Sequence, residues 1–165
     1  IKLIGANLRK AYENGKDLEA REAMARASTL AGIALSQAGL GMVHGFAHAA
    51  GALGGLAHGL ANAIILPFMM QSYLPVAESR LIAIGRALTG ASTMSAPESA
   101  KAVAELGSNL GIPPNLSAAG LDEALRDVVF DDAKGYKRRG QSPRLYSDEE
   151  LYALYLRIWS GSVTE

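Results

Sequence analysis

No cysteine occurs among the 165 residues, which excludes a disulfide framework, a thiolate zinc or iron–sulfur site and a cysteine nucleophile. The same absence fits a reducing compartment, and the expected location is cytoplasmic. Net charge is lacking too: 16 Lys+Arg stand against 16 Asp+Glu, so no basic excess favours binding to nucleic acid. No internal repeat, no alternating strand pattern of useful length and no phosphate-cradling G-x-G-x-x-G turn is present, and no signal-peptide pattern opens the chain. The first residue is Ile1 and the first methionine is Met24, so the chain is expected to be a piece of something longer. What it has is apolar material, 49% hydrophobic residues, enough for a sizeable core and against global disorder.

Charge is also missing locally. Ten charged residues fall between Lys2 and Arg26, and none follows until Glu78, leaving residues 27–77 without Asp, Glu, Lys or Arg. A bilayer-spanning helix needs about 20 predominantly apolar residues, so a membrane hairpin has to be weighed. The stretch is interrupted by Ser36, Gln37, three histidines, Asn62, Pro67, Gln71 and many glycines, and its best apolar run, residues 63–70, contains a proline. The expectation is therefore a shielded helical core and no membrane partner, with polar groups only where something binds them.

Helical periodicity dominates the rest. Ile4, Leu8, Ala11 and Tyr12 form an amphipathic stripe ending near Gly15. Asp17 can cap a second helix that buries Ala23, Ala27, Leu30, Ala31 and Ala34 and ends at Gly39 and Gly41. A third helix is expected from Val43 to about Ala50, and a fourth from about His58 past Leu66, with Pro67 able to bend or interrupt it and Pro75 starting a break. A fifth carries Leu81, Ile84 and Leu88 up to Gly90. Ser95 with Glu98 and Ser147 with Glu150 have the spacing of capping boxes. The first opens a helix through Val103, Leu106 and Leu110 to Gly111; the second opens one through Leu151, Leu154, Tyr155 and Ile158. Leu121, Leu125, Val128 and Val129 make the helix between them. The fold class is all-α, a bundle of about seven or eight helices.

All three histidines lie within fifteen residues, in GMVHGFAHAAGALGGLAHGLANA. His44 and His48 are four apart and share one helical face. His58 follows His44 by fourteen positions, about 21 Å along an unbroken helix, so a shared ion requires the chain to turn between them. Gly51, Gly54 and Gly55 are the expected break. Neutral imidazoles in an uncharged segment suit a borderline divalent cation, with Asn62 as a hydrogen-bonding neighbour of His58. The metalloprotease pattern H-E-x-x-H is not met, because Gly45 stands where its general base belongs.

Residues 31–67, AGIALSQAGLGMVHGFAHAAGALGGLAHGLANAIILP, resemble the signature region of the iron-containing (group III) alcohol dehydrogenases, with AG-IA-S-AGLG-VHG-AH and AHG-ANA-LP in register. KDLEAREAM before it, and GIPPNL and SDEELYALYLRIW after it, resemble the same family's C-terminal half more loosely. The resemblance implies that residues 1–165 are a single helical domain of the dehydroquinate synthase-like fold, without the N-terminal α/β domain that binds NAD(P). It implies that His44 and His58 are two of four metal ligands, commonly to Fe2+ and sometimes to Zn2+. His48 then matches the family's histidine beside the nicotinamide, a catalytic and cofactor-positioning group and not a ligand. The other two ligands, an Asp and a His one turn apart on an earlier helix, have no match here, and the chain alone is expected to be inactive.

The implied reaction interconverts a small-molecule alcohol and an aldehyde or ketone using NAD or NADP, in an intact protein expected to be a homodimer. A zinc-dependent relative on the same scaffold (a polyol dehydrogenase or a dehydroquinate synthase-like lyase) and a non-catalytic helical interaction domain are the alternatives. Leu35 sits where the family has a substrate-facing residue, although a plain core leucine fits as well. Near the end, DDAKGYKRRGQSPRLYS keeps only Ser142-Pro143-Arg144 of the family's loop and adds Lys134, Lys137, Arg138 and Arg139. That loop reads as solvated, or as a substrate mouth favouring an anionic group.

Overall fold

The computed structural model describes residues 1–163. Eight α-helices follow in order: α1 (Lys2–Glu13), α2 (Leu18–Ala38), α3 (Met42–Gly54), α4 (His58–Ser72), α5 (Leu74–Thr89), α6 (Ala96–Asn109), α7 (Arg126–Lys134) and α8 (Asp148–Ser160), with 3-10 turns at Glu123–Leu125 and Arg139–Gln141. No strand is present among the described residues. The helix starts lie where local chemistry puts them. Asp17 accepts from the Ala20 N–H at 3.0 Å. In both capping boxes the serine hydroxyl accepts from the glutamate N–H while the carboxylate accepts from the serine N–H. Gly39 and Gly90 end their helices at φ 76° and 77°, angles that any side chain would strain.

The core is built around α3 and α4. Phe46, Ala47, Ala49 and Ala50 of α3 and Ala61, Ile65, Phe68 and Met69 of α4 are fully buried, and α6, α7 and α8 close around them. Phe46 stacks on Tyr155 of α8 with ring centroids 5.4 Å apart. The Tyr155 hydroxyl donates to the Arg126 carbonyl at 2.7 Å and the Trp159 indole N–H to Glu123 at 2.6 Å, so α8 is fixed to the start of α7 by its polar tips as well as its rings.

Four expectations are corrected. Pro67 does not interrupt α4: buried neighbours hold the helix through it to Ser72, tertiary packing overriding local propensity. The break expected at Pro75 falls two residues later: Pro75 occupies the first turn of α5, where its missing N–H costs nothing, and the backbone turns non-helical at Ala77, where two helical segments meet at a kink. The helix expected across residues 121–129 is split: Leu121 lies in a loop, Asp122 accepts from the Ala124 N–H at 3.0 Å, and α7 begins at Arg126. Finally, α2 buries only Ala20 and Ala27, and Leu30 is 59% exposed. Its main helical neighbour among the described residues is α1, and the rest of its apolar face stays exposed.

No single helix among the described residues is long and apolar enough to cross a membrane; α2 and α3 would suffice together but are bent 108° from each other.

Candidate metal centre

The turn after α3 is what assembles the site. Gly51 and Gly54 lie inside α3, and the reversal falls on Gly55 alone, in the left-handed region at φ 69°. The Leu56 N–H then reaches back to the Ala50 carbonyl at 3.4 Å, and the chain returns along α3 before α4 starts. This return passes so close that a Cβ on Gly51 would lie 3.1 Å from the Leu56 carbonyl oxygen. Gly51 therefore permits the close pass and Gly55 the turn, a division of labour that replaces the three-glycine break expected from sequence.

The result is that His58, at the first position of α4, faces back onto α3. Its ring centroid lies 5.4 Å from that of His44 and 5.1 Å from that of His48, while His44 and His48 are 6.0 Å apart. All three sequence-predicted site residues are brought together. They are not in the core, however. His44 is half-buried and His48 and His58 are exposed, because the cluster sits at the rim where α3 and α4 emerge.

Asn62, one turn after His58, donates from Nδ2 to His58 Nε2 at 3.0 Å and to the His58 carbonyl at 2.8 Å. The expected hydrogen-bonding neighbour is thus in place. Its Oδ1 is sealed from solvent with no hydrogen-bond partner among the described residues, an omission that costs about 1–3 kcal/mol. Burial first, and then the imidazoles of His58 and His48, hold the His44 pKa below its ordinary 6.5, so near neutral pH its ring keeps a free lone pair. Among the described residues no group of three or more His, Cys, Asp or Glu side chains is arranged to hold an ion. An open cleft of about 570 Å³ adjoins His44 and Asn62, lined also by Val43, Leu66, Tyr73 and Gln141.

The loop after α7 supports the site. The Ser142 hydroxyl accepts from the Met42 N–H at 2.9 Å, capping the helix that carries His44 and His48, whose own N-cap, Gly41, has no side chain to do so. Arg144 pairs with Glu150 at 2.6 Å, donates to the Ser72 carbonyl and lies over the Tyr146 ring. Arg139 pairs with Asp148 at 2.6 Å, and Lys134 with Asp131. Arg139 and Arg144 hold the loop to α8 and α4, while the Lys134 pair lies within α7, which leaves Lys137 and Arg138 of the basic cluster for the solvated or anion-facing reading. Leu35 is 45% exposed and lines a separate cleft with Ile4 and Leu30, so it is neither a core leucine nor a wall of the histidine site in this chain. Tyr136 was also missed. Its ring lies 5.7 Å from that of His48 at 79°. A Cβ on Gly45 would come within 3.0 Å of that ring, so an unexplained glycine inside a helix was the available signal.

Comparison with known proteins agrees with the all-helical fold. The family model described as Fe-containing alcohol dehydrogenase family, C-terminal, matches residues 1–159. A 1,3-propanediol dehydrogenase of Klebsiella pneumoniae is 37% identical over 94% of this chain and 41% of its own length. An NAD-dependent methanol dehydrogenase of Bacillus methanolicus is 38% identical over 92% of this chain and 41% of its own. The solved alcohol dehydrogenase from Oenococcus oeni superposes with a TM-score of 0.87 at 30% identity, covering 96% of this chain and 43% of that one. The chain therefore spans about two fifths of the length of these relatives.

Proposed function

Since this chain belongs to the iron-containing alcohol dehydrogenase family, of which it represents the all-helical C-terminal domain, we propose that it is the metal-binding half of a metal- and NAD(P)-dependent enzyme interconverting an alcohol and an aldehyde or ketone. The observation that carries this reading is the folding of His44, His48 and His58 to within 5.1–6.0 Å of one another. We extend it, as the family resemblance implies, to a cytoplasmic homodimer.

The residues fit a divalent cation, Fe2+ or Zn2+, on their chemistry. Neutral imidazoles suit such a cation where the chain offers no thiols, and a buried amide oxygen without a donor is relieved by a positive neighbour and not by apolar packing. His44 and His58 would hold it. When bound, the cation supplies Lewis acidity to the alcohol or carbonyl group and the nicotinamide accepts or returns the hydride.

The remaining work falls to side chains. Asn62 donates to one His58 nitrogen and so leaves the proton on the other. If His58 ligates through Nε2 it gives up that bond, and Asn62 keeps its second one to the His58 carbonyl, which prevents the amide from drifting. His44, neutral because of its burial and neighbours, is ready as a ligand without losing a proton first. His48 stands beside both and is free to orient the nicotinamide and to take or give the hydroxyl proton.

Metal analysis of the full-length protein tests the assignment. Stoichiometric Fe or Zn is expected in the wild type, lost on His44→Ala or His58→Ala, whereas His48→Ala keeps its metal and loses turnover of simple alcohols. Full metal content in both ligand variants would refute it.

A further inference from the structure

We propose that Tyr136 is a positioning residue for His48, fixing the orientation of its ring; this rests on the reading of His48 given above. Among the described residues no hydrogen bond holds the exposed His48 side chain, so its orientation depends on its ring contacts. There are two close ones besides His44. One face stacks on His58, at 5.1 Å and 27°, and Tyr136 meets it edge to face at 5.7 Å and 79°. Without Tyr136 the imidazole would be restrained mainly by the residues assigned to the metal, and its plane would follow theirs.

Tyr136 itself is held firmly. Its N–H donates to the Ala133 carbonyl at 3.1 Å at the end of α7, and its carbonyl accepts from the Arg139 N–H at 3.0 Å. Its half-buried ring is seated in the notch left by Gly45, where a Cβ would stand 3.0 Å from Cδ1 and 3.1 Å from Cγ. A glycine inside a helix costs about 0.5–1 kcal/mol relative to alanine. At this position that cost makes room for the ring which faces His48, between two positions that carry histidines on the same helix.

The full-length enzyme, as wild type, Tyr136→Leu, Tyr136→Phe, Gly45→Ala and His48→Ala, tests this by steady-state kinetics, metal content and the His48 ring resonances in labelled protein. Leucine removes the edge-to-face contact, whose upper energy corresponds to about tenfold in rate. The expected result for Tyr136→Leu is a roughly tenfold lower kcat, unchanged KM and metal content, and a displaced His48 signal. Tyr136→Phe, which keeps the ring, is expected to recover kcat to within about twofold, and Gly45→Ala, which pushes the ring out, to behave like leucine. An unmoved kcat or His48 signal in Tyr136→Leu would overturn the proposal, as would loss of metal in that variant or an equal loss in Tyr136→Phe. If His48→Ala turns over normally, the underlying role of His48 falls. If His48→Ala is inactive while Tyr136→Leu is unaffected, the positioning role alone falls.

Discussion

The α3–α4 and α1–α2 pairs are both helical hairpins, and the second half of α2 shares the uncharged stretch that supplies all of α3 and α4, yet they have opposite fates. In α3 and α4 most of the apolar residues are buried, with Phe46, Ile65, Phe68 and Met69 at 0% exposure, and of the large ones only Leu53 and Leu66 stand open. In α1 no residue is buried, and in α2 only two are, while Leu30 and Ile33 stand open to solvent. Apolar patterning thus decides which face could be buried, and the number of neighbours decides whether it is. The histidines fall on the boundary between these cases, carried by helices rigid enough to aim them and placed at a rim open enough to admit a ligand.

The sharpest way to break this contrast is a pair of truncations in the chain as it stands. Phe46→Ala removes a fully buried ring stacked on Tyr155 and is expected to cost about 3–5 kcal/mol. Leu30→Ala, in an equally uncharged sequence, should change stability by less than about 0.5 kcal/mol. Urea unfolding measures both, and similar losses at the two sites would show that α2 is packed in solution.

A smaller effect separates two glycines that look alike in sequence. Gly5 in α1 has the Leu88 carbonyl of α5 where its Cβ would be, whereas Gly32 in α2 has nothing within 4 Å. Close backbone approach, and not side-chain burial, is therefore what docks α1. Gly5→Ala should destabilise by about 1–3 kcal/mol and Gly32→Ala should stabilise by about 0.5–1 kcal/mol, read as opposite shifts in melting temperature.

Those helix boundaries were legible that depend on chemistry within four residues: Asp17, Ser95 and Ser147 as caps, Gly39 and Gly90 as stops. The pairing of His44 with His58 was legible for a related reason, since spacing and glycines together demand a turn. Burial on α2 was not, because periodicity marks a face without saying what covers it. Nor were Ser142 and Tyr136, which act on α3 from roughly a hundred positions away, a distance over which no local pattern extends. Pro67 misled because the packing that carries α4 through it, from α3, α6 and α8, lies outside its own local sequence.

The smallest expected effect distinguishes the two capping boxes, which share the Ser-x-x-Glu pattern and differ in surroundings. The Glu98 carboxyl is held below its ordinary 4.5 by the Ser95 hydroxyl and then the Ser95 N–H. Glu150 is lowered first by the Ser147 N–H and is also bonded to Arg144, which reaches the end of α4. For a carboxyl lowered in the folded state, the stabilisation is complete above the ordinary value and is lost as pH falls through the folded one. Both boxes should therefore hold fully at neutral pH and fail below about pH 4.5. Removing the titrating group should flatten that acid limb in the melting temperature. Glu150→Gln should flatten it more than Glu98→Gln, because protonating Glu150 releases a tie to the α3–α4 half, whereas protonating Glu98 loosens only its own helix start. Equal flattening would mean that Arg144 gives the α8 box no reach beyond its own turn.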